Sequence, residues 1–269
     1  MEKESQSLHR VDRMQICYAK AKDYLLQITP NELKGRELQK YFNVEKTFLT
    51  KADILHGLLI SLQDYQSMPN VIGLLREDRQ DMFEQVLYKY AAEEILAHYD
   101  SDTLFETFCN NFTVGNKESK NNLWRRFARA VISAAEFINK FKNAEDFDMF
   151  VSSFSYNSFS TAALPMVLEK EIYGMGFPLA CNFLKAIGYS RYTKPDVHLK
   201  EVFYSLGFCD NSDYDTYKAV IEMADVCKDT PFNVDRTFWL ICSGNYYLHK
   251  INIGRHKKEF IEKMQKCKV

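Results

Sequence analysis

Apolar residues recur at steps of three and four along most of the chain, and that spacing predicts helices rather than strands. The clearest run covers about 122–141, where Leu123, Phe127, Val131, Ala134, Ile138 and Phe141 fall on one side. A second, 179–187, turns Leu179, Ala180, Phe183, Leu184 and Ile187 inward and stops at Gly188. A third opens after Pro195, with Asp196 as its N-cap, Leu199, Val202, Phe203 and Leu206 as its buried stripe, and Gly207 as its end. Further helices are predicted near 8–28, 51–64, 80–98, 103–112, 145–154, 162–172, 213–227 and 234–243. No segment alternates in the manner of a strand, so the expected class is all-α.

Composition agrees. Only 10 Gly and 6 Pro punctuate 269 residues, too few sharp turns for a many-stranded sandwich or barrel, while 46% hydrophobic residues supply a large core. The length suits one elongated domain or two helical lobes. Four serial parts are expected: an N-terminal helical segment 1–50, a lobe 51–160, a second lobe 161–247 and a basic segment 248–269. No apolar run reaches the length of a signal core or membrane span, which predicts a cytoplasmic protein, nucleoid-associated if bacterial, with no membrane partner; a monomer is expected. Seven cysteines are scattered without close pairs, so they read as reduced core residues with neither zinc nor an iron–sulfur cluster, and no metal site from side chains is expected. The net charge of −1 excludes a uniformly basic surface, and any polyanion must meet a local patch. Arg125, Arg126 and Arg129 form one such cluster; the tail from Lys250 to Lys268 forms another. Each also reads as a solvated helix face.

The segment Ile172-Tyr-Gly-Met-Gly-Phe-Pro-Leu-Ala180 joins two predicted helices through a tight hairpin. Gly174 and Gly176 permit positive φ and leave backbone N–H groups uncovered. Those amides, with Phe177 and Leu179 at the start of the next helix, make a seat for a phosphate oxygen. A plain structural turn is the competing reading. Asp196 follows sixteen residues past Ala180, within Lys194-Pro-Asp-Val-His198.

Taken together, the two pieces resemble the helix-hairpin-helix DNA glycosylase superfamily. Its hairpin, of the form Leu-Pro-Gly-Val-Gly-x-x-x-Ala, precedes a proline-flanked Asp that opens the next helix. Ile172, Gly174, Met175, Gly176 and Ala180 fill that pattern, and Asp196 falls where the catalytic aspartate belongs. Leu59-Ile-Ser-Leu-Gln63 resembles, over a shorter stretch, the segment before the minor-groove wedge. The resemblance implies two helical lobes flanking a DNA-binding cleft, double-stranded DNA containing a modified base as partner, and a base that leaves the stack before its sugar bond is cut. It also implies a monovalent cation, K+ or Na+, on hairpin carbonyls near 171–176, with no other cofactor required. One position departs from the pattern. Members that also cut the backbone carry a nucleophilic lysine two residues after the second hairpin glycine, where this chain has Pro178. No Schiff base can form there.

The expected activity is therefore monofunctional hydrolysis of an N-glycosidic bond. Positive charge grows on the deoxyribose as that bond breaks, and a fixed carboxylate at Asp196 stabilises it. His198 is assigned to a phosphate or to Asp196, and Arg125 and Arg126 to the phosphate backbone. Gln63 is a candidate for the gap left by the extruded nucleotide, with a surface glutamine as the competing reading. Asn182, Tyr156, Tyr173, Tyr189 and Trp239 are candidates for the base pocket, with core packing as the alternative for each aromatic. Two rival functions stay open: a helix-hairpin-helix protein that binds DNA without chemistry, and a glycosylase/lyase using a displaced lysine such as Lys194. The setting is base excision repair or defence against modified phage DNA.

Overall fold

The computed structural model describes residues 2–65 and 68–267, which form an all-α protein of fifteen helices and one short strand pair. In chain order these are α1 (Glu2–Ile28), α2 (Arg36–Gln39), α3 (Lys51–Gln63), α4 (Met68–Ile72), α5 (Gln80–Val86), α6 (Ala92–His98) and α7 (Ser101–Asn111). Then follow α8 (Leu123–Asn139), α9 (Ala144–Ser153), α10 (Ser158–Glu171), α11 (Phe177–Ala186) and α12 (Val197–Ser205). The chain ends with α13 (Asp213–Cys227), α14 (Pro231–Ser243) and α15 (Lys257–Lys266), and between the last two β1 (Asn245–Tyr246) pairs antiparallel with β2 (Ile251–Asn252).

Two compact units result, Met1–Glu45 with Tyr189–Val269, and Lys46–Gly188. This replaces the four serial parts expected from the sequence: both ends of the chain build one unit, and the division falls at 188/189 rather than 160/161. In the terminal unit, Met14, Cys17, Tyr18, Ala21, Tyr24 and Leu25 line one face of α1 and are buried against α13 and α14. Arg10 fixes that packing with two bonds to the Glu222 carboxylate, at 2.9 and 2.8 Å, and one to the Phe208 carbonyl at 2.6 Å. The basic tail is not a free arm. Phe260, Ile261 and Met264 of α15 are buried in this core, with the Phe260 ring centroid 5.4 Å from Tyr24 and 5.8 Å from Phe238.

The central unit is organised on α3 and α8. Thr50 and Asp53 close α3 with reciprocal capping bonds, and Asn122 caps α8 by accepting from the Trp124 and Arg125 amides. The stripe expected on α8 is buried at Phe127, Val131, Ala134 and Ile138. α11 lies close on α3: a Cβ at Gly57 would sit 2.8 Å from Ile187 Cγ2, so only glycine fits there. The single helix expected over 80–98 is broken, because Tyr88, Lys89 and Tyr90 all take positive φ. The break buries Tyr90 and stacks it on His56 at 4.3 Å between ring centroids. No described helix is long and apolar enough to cross a membrane.

Candidate functional site

Asp196 is the N-cap of α12, in extended backbone and half-buried, directly after the buried Pro195. Its Oδ1 accepts from the His198 amide at 2.9 Å and the Leu199 amide at 3.1 Å, and its own N–H donates to the Lys194 carbonyl at 2.8 Å. Oδ2 accepts from no group among the described residues. The carboxylate is thus oriented by one oxygen and free at the other, with the positive end of α12 beneath it. His198, in the first turn, is half-buried, and its Nδ1 is buried without a hydrogen-bond partner among the described residues. Desolvation holds its imidazole below the ordinary 6.5; Lys257 and Arg255 act in the same direction and Asp196 opposes them. His198 is therefore neutral near pH 7. Burial pushes the nearby Cys242 thiol up to about 12, which makes it an inert core group.

The turn at 172–176 belongs to the central unit. Gly174 has φ +81, and Met175 N–H closes the turn on the Ile172 carbonyl at 3.2 Å. α8 holds the corner in place: Ser133 Oγ accepts from the Tyr173 amide at 2.9 Å, and a Cβ on Gly174 would stand 3.9 Å from Ala130. Gly176 is the N-cap of α11, which has no side-chain cap. The Gly174 and Gly176 amides donate to nothing among the described residues. Of the other two assigned amides, that of Leu179 is already given to the Gly176 carbonyl at 2.9 Å, and the Phe177 and Leu179 side chains are buried.

The arginine assignments separate. Arg126, Arg129, Ala130 and Ser133 share the face of α8 that meets the turn, as their i, i+3, i+4, i+7 spacing requires. Arg126 lies over the Tyr65 ring at 4.5 Å, and Arg129 is exposed and makes no ion pair with described residues. Arg125 pairs with Asp102 at 3.0 Å and covers the Phe105 ring at 4.1 Å, so its charge is already met. The cluster read from the sequence is better represented by Arg126 and Arg129 than by Arg125 and Arg126.

Gln63 is corrected. It is 3% exposed and its Oε1 accepts from the Leu74 amide at 3.0 Å, so it fastens the segment after α3 and does not project as a wedge must. Asn182 also faces α3, donating to Ser61 Oγ at 3.4 Å and Asp64 Oδ2 at 3.3 Å. Tyr156, at 90% exposed, and Tyr173, at 44%, present ring surface to solvent. Tyr189 is buried edge-on against Tyr192, which withdraws its face from stacking. Trp239 is half-buried beside Tyr247, with the Arg236 guanidinium 5.5 Å from its ring centroid. Asp196, His198, Tyr189 and Trp239 belong to the terminal unit; the remaining candidates belong to the central one.

One side chain near Asp196 escaped sequence reasoning. Asp235 on α14 is 2% exposed, and its Oδ2 accepts from Thr193 Oγ1 at 3.0 Å and the Lys194 amide at 2.8 Å. The signal was a lone acid on the stripe that also carries Phe238 and Cys242. Hollows of about 300 Å³ beside Arg10 and Glu222 and about 580 Å³ beside Asp102 and Arg125 border neither Asp196 nor the hairpin glycines. No group of three or more His, Cys, Asp or Glu among the described residues is placed to hold a metal ion. Compared with known proteins, the chain matches no family model, no curated protein and no solved structure.

Proposed function

We propose that this chain is a monofunctional DNA glycosylase that hydrolyses the N-glycosidic bond of a modified base in duplex DNA and leaves an abasic site. The observation that carries the reading is the state of the Asp196 carboxylate: Oδ1 is tied to two helix amides and Oδ2 accepts from no described residue. A carboxylate so fixed meets the charge that develops on a deoxyribose as its bond to the base lengthens, without reorganising during the step. Water then supplies the oxygen that bonds to the anomeric carbon. Its proton passes to Asp196 or solvent, and the electron pair of the broken bond leaves with the base. The neutral His198 imidazole adds no competing positive charge beside Asp196.

The turn at 172–176 has the role of a phosphate seat, supported by two amides that donate to no described residue, a helix start without a side-chain cap and the arginines of α8 alongside. The carbonyls of 171–176 are assigned a monovalent cation. Pro178 leaves the lysine position of the lyase members without an amine, which favours hydrolysis over a Schiff base. An altered base awaiting repair and a modified base in invading phage DNA are the two substrate settings.

The test is incubation with duplex oligonucleotides carrying alkylated, oxidised and hydroxymethylated or glucosylated bases, followed by alkali. Alkali-labile sites with the native protein, and none with Asp196→Asn, are expected. DNA binding with no strand break after alkali would instead establish a binding protein. A covalent adduct trapped by borohydride would establish a lyase with a displaced lysine.

A further inference from the structure

We infer that Asp235 is a positioning residue for Asp196, holding from behind the loop that presents the catalytic carboxylate. The inference rests on the glycosylase reading and deepens it.

A carboxylate almost wholly removed from water is an expensive group to keep in a core, and it persists only where hydrogen bonds replace its hydration. Its neighbours on α14 show that an apolar residue would be at home in its place: Val234, Phe238 and Cys242 are buried on the same helix. What Asp235 does there is specific. A single oxygen, Oδ2, receives both the Thr193 hydroxyl and the Lys194 amide. Thr193 is completely buried, so this hydroxyl has no water to turn to. The next link is local: the Lys194 carbonyl takes the Asp196 amide at 2.8 Å, across Pro195, whose ring removes one backbone torsion. From a rigid helix to the catalytic side chain there are therefore two hydrogen bonds, one short backbone turn and one proline.

The geometry needs such a brace. The bonds to Oδ1 orient the Asp196 carboxylate relative to α12, but they do not set where the loop 193–196 lies relative to α14. Asp235 supplies that second fixed point. Because the acid is too deep to reach DNA through the loop it holds, its loss should slow bond cleavage and spare DNA affinity, the pattern of a group that places a reacting atom.

The experiment compares single-turnover excision rates and affinities for duplex carrying an abasic-site analogue, in the full-length native protein, Asp235→Asn, Thr193→Val and Asp196→Asn, with thermal unfolding of each. Asp235→Asn is expected to slow excision by about 10- to 100-fold, the loss typical of a reacting group displaced by about an ångström, with affinity unchanged. Thr193→Val, which removes the hydroxyl bond to Asp235 without changing shape, should fall between it and the native protein. A folded Asp235→Asn with native excision rate overturns the inference and leaves the glycosylase reading standing. So does a parallel fall in rate, affinity and melting temperature in both Asp235→Asn and Thr193→Val, which marks a purely structural role. If the native protein itself releases no base from any substrate, the glycosylase reading fails first and the positioning role falls with it.

Discussion

The two glycines of the 172–176 turn look equivalent in the sequence and are not equivalent in the structure. Gly174 sits at φ +81, where a side chain is strained whatever room surrounds it. Gly176 sits at φ −96 with only Pro178 Cδ near, at 3.9 Å from a built Cβ, so alanine fits its backbone without cost. Gly174→Ala is thus expected to lower unfolding free energy by about 1–2 kcal/mol in denaturant titrations. Gly176→Ala should unfold like the native protein. If its bare amide receives a phosphate oxygen, however, the added methyl group should weaken duplex binding by about tenfold, the worth of one charge-assisted hydrogen bond. Equal binding by native protein and Gly176→Ala would remove the phosphate seat. The spacing of these glycines was legible from the sequence; which of them the fold needs depends on φ, which letters do not record. Gln63 teaches the same lesson from the other side. Its place at the end of α3 was foreseen, yet its direction was set by the Leu74 amide, eleven residues on.

Three helices with a clear apolar stripe were legible almost to the residue, because periodicity over about two and a half turns or more averages out local exceptions, whereas α1 begins six residues before its expected start near 8. α8, α11 and α12 begin and end within two residues of their expected limits, with Asn122, Gly176 and Asp196 as N-caps. Elements of one turn, such as α2 and α4, carry no period to read. α15 was missed for a different reason: its lysines concealed Phe260, Ile261 and Met264, which fall on one face at i, i+1 and i+4. A segment that looked like a phosphate-binding tail is a core helix, and its charge is partly engaged, Lys257 with Glu201 and Lys263 with Gln27. Phe260→Ala, which empties the contact with Tyr24 and Phe238, should cost about 3–5 kcal/mol of stability in the same titrations. A loss below about 1 kcal/mol, the range of surface substitutions, would mean that α15 is dispensable and return the tail to the role its charge suggested.

At the scale of the whole molecule, the chain's two ends meet in one unit, and no pattern in the sequence announces it. An apolar face states that it must be covered, not by what; that α1 is covered by α13 and α14 is known only from contacts such as Arg10 with Glu222, 212 residues apart. The same folding decides how much charge is left for a polyanion. At a net charge of −1, ten of the 35 Lys and Arg (Arg10, Lys40, Lys46, Lys51, Arg76, Arg125, Lys140, Lys200, Lys218 and Lys257) are paired with carboxylates among the described residues and the other 25 are balanced by 26 further Asp and Glu, so counterions on DNA can be replaced only where unpaired cations cluster. Arg126 and Arg129 beside the turn are the clearest of these. A protein that grips through a few cations and backbone amides, rather than a basic sheath, releases few ions on binding. The logarithm of its association constant should fall against the logarithm of salt concentration with a slope of about −2 to −4, from roughly 0.9 per phosphate neutralised. Replacing both arginines, Arg126→Ala with Arg129→Ala, should make that slope shallower by about 2, whereas Arg125→Ala should leave it unchanged. A native slope near −8, or a slope that responds to Arg125 and not to the other two, would place the DNA on a different face of the molecule from the hairpin.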